Sequence, residues 1–263
     1  MRRRRYLFLL ISALCAAIAM SSSVVATAKT VNGWYCNRNT QHRQPQLDEN
    51  MNFIEKYNAY YVDKKHTENN EEKVVYLTFD VGYENGNVEK ILNTLKEEQV
   101  TGAFFILGNL LEKNPELVLR MNADGHTVCN HTYSHKDMTK FENVDDFDHE
   151  LKRLSEKYRD VTGVEMKKYY RPPEGKFDER TLSYASSLGY KTIFWSFAYA
   201  DWDNARQPSA EYAKAKIFDN MHNGAVILLH PTSSTNAIIL RDVIKQLKSE
   251  GYRFGTLDEL TEL

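Results

Sequence analysis

The sequence has few cysteines, few prolines and no surplus of basic residues. Its 263 residues are 42% apolar and 27% charged, with 12 glycines and 6 prolines, which excludes a disordered, collagen-like or low-complexity chain. The 34 basic residues are outnumbered by 36 acidic ones, and four of the basic ones are Arg2 to Arg5. The rest of the chain is therefore acidic, and nucleic acid is not expected as a partner. No glycine-rich phosphate loop supports a nucleotide-binding fold.

Three cysteines are too few for a disulfide framework. Two of them, Cys36 and Cys129, follow the N-terminal segment, and nothing in the sequence sets the distance between them. We expect buried free thiols, with a single Cys36–Cys129 bridge as the alternative. Stability must then come from an apolar core, and the length suits one large α/β domain or two small ones.

The N-terminus has the pattern of an export signal. Arg2 to Arg5 precede a mostly apolar run over residues 6–20, and Ala26-Thr27-Ala28 forms an Ala-x-Ala site. We predict that residues 1–28 are a signal peptide cleaved before Lys29. The domain then lies outside the cytoplasmic membrane, in the cell wall or, in a spore-former, in the space between the forespore membranes. An uncleaved anchor is the alternative, and it places the domain on the same side.

Residues 29–72 differ in pattern from the rest of the chain. They predict an arm, one helix and a linker ahead of a domain over residues 73–263. The arm begins at Trp34-Tyr35, and the linker is the polar run over residues 63–72. The helix is predicted from apolar residues at helical spacing, which are Leu47, Met51, Ile54, Tyr57 and Tyr61.

Beyond this segment, short β-rich runs alternate with helical stretches, a pattern that predicts a parallel sheet. The predicted strands are Val74–Phe79, Ala103–Leu107, Thr127–Asn130, Tyr169–Arg171, Thr192–Phe197, Ala225–Leu229 and Tyr252–Phe254. The predicted helices lie near Val88–Glu98, Pro115–Ala123, Val144–Val161, Glu179–Leu188, Ala210–His222 and Ala237–Glu250.

Reactive side chains stand where five of these strands end. They are Asp80, His131, Arg171, Asp201 and His230. Parallel barrels gather active-site residues from many strands at one rim, whereas open doubly wound sheets gather them at one switch point. Contributions from so many strands favour an α/β fold in the form of a distorted (β/α) barrel of about seven parallel strands, with an N-terminal helical arm.

The residues at the strand ends suggest metal and acid–base chemistry. His131 and His135 are four residues apart, which is one helical turn, so both imidazoles can reach one divalent cation. Such a pair is also compatible with surface or packing roles. No glutamate follows His131 directly, which disfavours the zinc-peptidase arrangement.

Asp80 follows a buried strand and is a candidate general base, with an N-cap role as the alternative. Arg171 can pair with Asp80 and keep it ionised, although a plain buried ion pair would look the same in sequence. His230 is a candidate general acid, and Asp201 can orient it and raise its pKa.

Five ordered motifs resemble those of the polysaccharide deacetylases with NodB homology, carbohydrate esterase family four. They are Thr78-Phe79-Asp80, His131-Thr-Tyr-Ser-His135, Arg171-Pro172-Pro173, Asp201-Trp202 and Leu228-Leu229-His230. The stretch from Thr78 to Gly86, together with Gly33-Trp34 and residues 54–57, is similar to the delta-lactam-biosynthetic de-N-acetylase subgroup.

The resemblance implies a distorted barrel that hydrolyses N-acetyl groups of amino sugars. It implies Asp80 as base, His230 as acid, Arg171 and Asp201 as their partners, and His131 and His135 as ligands of a divalent metal, Zn²⁺ by expectation. Trp202, Pro173 and Tyr83 would contact the sugar.

Two positions depart from the family pattern. Val81 replaces a second aspartate that is the usual third metal ligand, so metal binding is expected to be weak or dispensable. Glu174 stands where relatives often have tyrosine, although the backbone N–H at that position can still serve the oxyanion.

The subgroup implies removal of the acetyl group from N-acetylmuramic acid in peptide-stripped peptidoglycan, which leads to muramic delta-lactam in spore cortex. The alternatives are a deacetylase of N-acetylglucosamine in peptidoglycan or chitin, and a non-catalytic glycan-binding protein. The expected partners are peptidoglycan glycan strands and an accessory exported protein, and the expected state is a monomer.

Overall fold

The computed structural model describes residues 30–262, so the predicted signal peptide lies outside the described part of the chain. The α-helices are α1 Val88–Glu97, α2 Gly108–Lys113, α3 Pro115–Ala123, α4 Val144–Thr162, α5 Glu179–Ser187, α6 Ala210–Asp219, α7 Ser234–Ser249 and α8 Leu257–Thr261. The strands are β1 Asn32–Gly33, β2 Ala59–Tyr60, β3 Lys73–Val81, β4 Ala103–Ile106, β5 Thr127–Asn130, β6 Tyr169–Tyr170, β7 Lys176–Phe177, β8 Lys191–Ile193, β9 Ala225–Leu229 and β10 Tyr252–Phe254. Short 3₁₀-helices cover Glu49–Tyr57, Met138–Lys140 and Pro173–Gly175.

The main sheet is parallel and curls into a barrel, as predicted. Its strand order is β10-β3-β4-β5-β6-β8-β2, and β9 pairs with β3. Every pairing between its strands is parallel. A parallel β-bridge pairs Phe197, in the segment that follows β8, with Ile227 in β9. This bridge brings the two ends of the sheet together. The carboxyl ends of the strands therefore face one rim.

Strand β3 lies at the centre of this arrangement because it pairs with three other strands. All its residues from Val74 to Val81 are buried, as expected for a strand covered on both faces. Helices pack on its outer side through a large apolar cluster that includes Ile91, Leu95 and Ile244. This packing fixes the carboxyl end of β3, where Asp80 is found.

Several predicted boundaries differ from the structure. The run Thr192–Phe197 is not one strand, because the chain changes partner along it. Phe194 N bonds Tyr60 O, whereas Ser196 N bonds Val226 O. The helix that was predicted to begin at Ala237 starts at Ser234, because Ser233 caps it by accepting a hydrogen bond from Asn236 N. The helix predicted over 210–222 ends at Asp219.

The segment before β3 packs onto the barrel. The helix predicted there is a 3₁₀-helix over Glu49–Tyr57, and β2 adds a strand beside β8. Trp34 stacks on Phe194 with ring centroids 4.2 Å apart and planes 14° apart. This segment therefore supports the wall of the barrel that carries residues 194–199.

Within residues 30–262, no helix combines the length and the apolar character needed to cross a bilayer. The question of a cleaved signal or an anchor concerns residues outside this range.

Candidate active site

A cleft of about 730 Å³ opens at the carboxyl ends of the barrel strands. Residues from the ends of β3, β4, β5, β6 and β9 and from the segment after β8 line it. They are Asp80, Val81, Gly82, Tyr83, Leu107, His131, His135, Glu174, Gly175, Trp195, Ala198, Tyr199, Trp202, Leu228, His230 and Thr232. The fold thus brings together the predicted base, the predicted acid and both predicted metal ligands. Arg171 and Asp201 lie behind the lining, each bonded to one of these residues.

Asp80 is held in the cleft by a buried guanidinium. Arg171 Nη1 donates to Asp80 Oδ1 over 2.7 Å, and the Arg171 side chain is 0% exposed. Its other nitrogens are also paired: Nε donates to Ile193 O over 2.8 Å, and Nη2 donates to Thr78 Oγ1 over 2.9 Å. A guanidinium bonded on every side fixes both its own position and that of the carboxylate it binds.

The charge of Arg171 determines the protonation state of Asp80. Burial alone would raise the pKa of this carboxyl, but the positive charge and hydrogen bond of Arg171, together with the charge of His230, outweigh burial and lower the pKa below its ordinary value. Asp80 is therefore an ionised carboxylate at neutral pH. This is the state that a general base requires.

The two histidines lie on a loop after β5, so the predicted helical turn is wrong. Thr132 and His135 both have positive φ, 71° and 56°. Thr132 N donates to Asn130 Oδ1 over 2.9 Å, and His135 N donates to Thr132 Oγ1 over 3.0 Å. These side-chain acceptors support a backbone that L-residues seldom adopt. The result is a pair of imidazoles with ring centroids 5.1 Å apart.

A buried glutamate on α4 holds the same loop in place through hydrogen bonds. Glu150 accepts hydrogen bonds from Ser134 Oγ over 2.8 Å and from Ser134 N over 3.2 Å. Lys136 lies 3.0 Å from the same carboxylate. Sequence reasoning missed Glu150, because an acidic residue inside a long helix gives no local signal that it faces a loop behind it.

His230 and Asp201 form a second pair at the cleft. The Nδ1–H group of His230 donates to Asp201 Oδ1 over 2.7 Å, and His230 N donates to Asp201 Oδ2 over 2.8 Å. Burial alone would lower the pKa of His230, but the charge and hydrogen bond of Asp201 outweigh it and raise the pKa. His230 therefore stays protonated to a higher pH than an ordinary histidine, as a general acid requires.

Two residues that the sequence did not indicate hold Asp201 in place. Asn236 Nδ2 donates to Asp201 Oδ2 over 2.6 Å, and the hydroxyl of Tyr199 donates to the Asn236 amide oxygen. Asn236 lies in the first turn of α7, where only the three-dimensional fold brings it to Asp201.

Replacing Asp201 with asparagine is expected to shift the alkaline limb of the activity–pH profile to lower pH. The protonated form of His230 is the active acid, and activity is lost as pH rises through its pKa. Without the charge of Asp201 the pKa of His230 falls, because the lowering effect of burial on this pKa is no longer outweighed. The measurement is kcat against pH for both proteins, with the surface variant Asp203→Asn as control. An unchanged alkaline limb in Asp201→Asn would contradict the assignment.

The predicted sugar-contacting residues take different positions. Trp202 and Tyr83 line the cleft and are 61% and 44% exposed, which suits stacking on a sugar ring. Asn204 donates to the Tyr83 hydroxyl, so loops from two strands meet at this end of the cleft. Pro173 is buried behind the lining. Glu174, with φ 56°, lines the cleft and lies 2.5 Å from the Lys176 ammonium group.

Cys36 and Cys129 are free thiols, as expected. Burial raises the pKa of the Cys36 thiol to about 12 and raises that of Cys129 as well. Both are therefore neutral side chains that pack, in keeping with a structure stabilised by its core.

Comparisons with known proteins agree with this geometry. The model of the polysaccharide deacetylase family matches residues 67–193. The peptidoglycan-N-acetylmuramic acid deacetylase PdaA of Bacillus subtilis is 38% identical over 250 residues, covering 94% of this chain and 93% of the relative. The chain belongs to the polysaccharide deacetylase family.

Solved structures of this family have the same fold. The structure of B. subtilis PdaA, described as a family 4 carbohydrate esterase, has a TM-score of 0.82 at 39% identity, covering 88% of this chain and 96% of that one. The family resemblance, the barrel and the assignment as a polysaccharide deacetylase enzyme are thus confirmed.

More distant relatives match a smaller part of this chain. A peptidoglycan-N-acetylglucosamine deacetylase of Bacillus cereus is 35% identical over 192 residues, which are 71% of this chain and 67% of the relative. A family 4 pseudoenzyme from Bacillus anthracis has a TM-score of 0.66 at 27% identity, covering 73% of this chain and 66% of that one.

The residues of the cleft form only part of a metal site. Burial lowers the pKa of His131 to about 4 and lowers that of His135, so both imidazoles are neutral and can donate a lone pair. His131 Nδ1 donates to Arg171 O over 2.9 Å, which leaves Nε2 for a ligand. Val81 offers no lone pair, and residues 30–262 contain no group of three or more potential metal ligands. The residues therefore fit a cation only as a two-histidine site completed by water or substrate.

Proposed function

We propose that this protein removes the N-acetyl group from N-acetylmuramic acid in peptide-stripped peptidoglycan, and that the product closes to muramic delta-lactam in spore cortex. The observation that carries the proposal is the pairing of a base with Arg171 and of an acid with Asp201 on one cleft. The muramic acid deacetylase of B. subtilis supports the choice of sugar, because it matches nearly the whole chain.

In the reaction, Asp80 takes a proton from a water molecule as the oxygen of that water attacks the acetyl carbonyl carbon. His230 then gives its proton to the amine nitrogen, and the bond from that nitrogen to the carbonyl carbon breaks to release acetate and the free amine. Arg171 lowers the pKa of the base and Asp201 raises that of the acid, so each pKa shift favours the protonation state that the reaction requires. A divalent cation held by His131 and His135, proposed to be Zn²⁺, would supply polarisation of the carbonyl.

The remaining proposals concern the setting of the enzyme. We propose that it acts outside the cytoplasmic membrane as a monomer on glycan strands, with an accessory exported protein as a further partner. The basic, apolar and Ala-x-Ala pattern of residues 1–28 supports export.

A second candidate substrate is N-acetylglucosamine. The B. cereus relative is named for that sugar, and the cleft lining contains the acidic Glu174 but no lysine or arginine. An uncharged sugar needs no cation, whereas muramic acid freed of its peptide carries a lactyl carboxylate.

Mass spectrometry of the product separates these two sugars. Peptide-stripped peptidoglycan is incubated with the protein, with the Asp80→Asn variant as control, and is then cut to disaccharides. The proposal predicts that muramic acid loses the mass of the acetyl group and then of one water as the lactam closes. Loss of acetyl from glucosamine alone would replace it with the second candidate.

A further inference from the structure

The proposed muramic acid substrate carries a negatively charged lactyl carboxylate, which needs a binding partner on the protein. A lactyl carboxylate that enters the cleft needs a cation, because burying an unpaired charge is costly. None of the residues that line the cleft is lysine or arginine. The protonated His230 of the lining is already paired with Asp201, so we look for the cation among side chains beside the lining.

Most of the cations beside the lining are already neutralised by a carboxylate. An ammonium or guanidinium group that is bonded to a protein carboxylate has little net charge left to offer a substrate. The cations of this kind are Arg171, paired with Asp80 at 2.7 Å, Lys176, paired with Glu174 at 2.5 Å, and Lys136, paired with Glu150 at 3.0 Å.

Arg38 is different, because within residues 30–262 it has no carboxylate partner. Its Nη1 donates to Ala198 O over 2.7 Å, and Ala198 lines the cleft. Its guanidinium carbon lies 5.4 Å from the centre of the Phe197 ring. The other guanidinium nitrogens remain able to donate to an oxyanion.

The segment that carries Arg38 is fixed along the cleft wall. Trp34 Nε1 donates to Trp195 O over 2.8 Å, and Cys36 Sγ donates to the same carbonyl over 3.3 Å. Residues 34–38 therefore run beside residues 195–198. This anchoring holds the guanidinium near the cleft before any substrate arrives, which reduces the entropy lost on binding.

The comparisons place this segment outside the part of the chain that defines the family. The family match begins at residue 67, and the B. cereus glucosamine deacetylase covers only 71% of the chain. The muramic acid deacetylase covers 94%. Arg38 therefore lies outside the residues that the family model matches, in a part of the chain where members of the family can differ.

We propose that Arg38 is a specificity-determining residue that binds the lactyl carboxylate of muramic acid. The proposal rests on the function proposed above. A planar guanidinium can donate two parallel hydrogen bonds to a carboxylate, and such charged hydrogen bonds discriminate strongly against a neutral analogue.

The test compares two forms of one glycan. In one form the lactyl carboxylates are free, and in the other they are converted to neutral methylamides. Wild type is expected to have a KM for the amidated glycan roughly tenfold higher than for the free form. The Arg38→Ala variant is expected to have a KM for the free form that is roughly tenfold higher, with kcat unchanged. It should no longer prefer the free form over the amidated form.

The control is Arg43→Ala, an exposed arginine of the same segment with no hydrogen bond to a residue of the cleft lining among residues 30–262. It should keep the wild-type preference, and Arg38→Lys should keep part of it. Arg38→Ala with the wild-type preference intact would overturn the proposal. Failure of the proposed function is distinguishable, since wild type would then release no acetate from muramic acid in either form.

Discussion

The Asp80→Asn variant is expected to fold normally and to lose activity by a factor of roughly 10² to 10⁴ in kcat. Asparagine has the shape of aspartate and keeps the oxygen that accepts the 2.7 Å hydrogen bond from Arg171 Nη1. Its amide cannot take a proton from water. The loss should therefore appear in kcat, with KM little changed, because ground-state contacts with the sugar remain.

The measurement is the rate of acetate release at saturating substrate, with thermal unfolding of each protein recorded in parallel. Asp242→Asn is a matched control, because Asp242 is an exposed residue that pairs with Lys214 and is not part of the cleft lining. A folded Asp80→Asn protein with more than a tenth of wild-type kcat would show that Asp80 is not the base.

The Arg171→Met variant is expected to lose both activity and stability. Methionine fills part of the volume but leaves the Asp80 carboxylate buried without its partner, a change that costs about 3–5 kcal/mol of unfolding free energy at neutral pH. The pKa of Asp80 then rises, because burial is no longer outweighed by the charge of Arg171. The acid limb of the activity–pH profile should move to higher pH.

The sign of the pH effect on stability makes this prediction specific. In the wild type the pKa of Asp80 is lowered by folding, so its ionised form stabilises the fold, and this contribution is lost as pH falls. In Arg171→Met the pKa is raised by folding. The unfolding free energy of the variant should therefore decrease as pH rises from the unfolded pKa of Asp80 to the raised one.

Urea unfolding at several pH values measures this effect, and a double variant provides the control. Asp80→Asn combined with Arg171→Met removes the buried charge, so it should regain much of the stability that the single variant loses. A double variant as unstable as Arg171→Met would show that lost packing, and not the unpaired carboxylate, is the cause.

Much of the site could be predicted because it depends on strand ends. Parallel strands place their carboxyl ends at one rim, so the reactive residues at the carboxyl ends of β3, β5, β6 and β9 had to converge once the βα alternation was recognised. Asp80, His131 and His230 lie where this reasoning expects them. The pairing of Asp80 with Arg171 was expected from opposite charges at the carboxyl ends of two strands, β3 and β6, that share one rim.

The features of the fold and the site that could not be predicted depend on contacts between distant parts of the chain. Hydrophobic periodicity could not show that β2 joins the sheet beside β8 or that Asn236 holds Asp201. The helical spacing of His131 and His135 was misleading, because the two residues lie on a loop. The left-handed backbone conformation of Thr132 in this loop brings the two rings together. Arg38 carried no signal at all, since its place beside Ala198 follows from the packing of the N-terminal segment.

The most direct test of this account is acetate release from peptide-stripped peptidoglycan by the purified protein with added Zn²⁺, measured beside Asp80→Asn. The account predicts release by the wild type and almost none by the variant. No release from the wild type, or equal release from both proteins, would contradict acid–base deacetylation by Asp80 and His230.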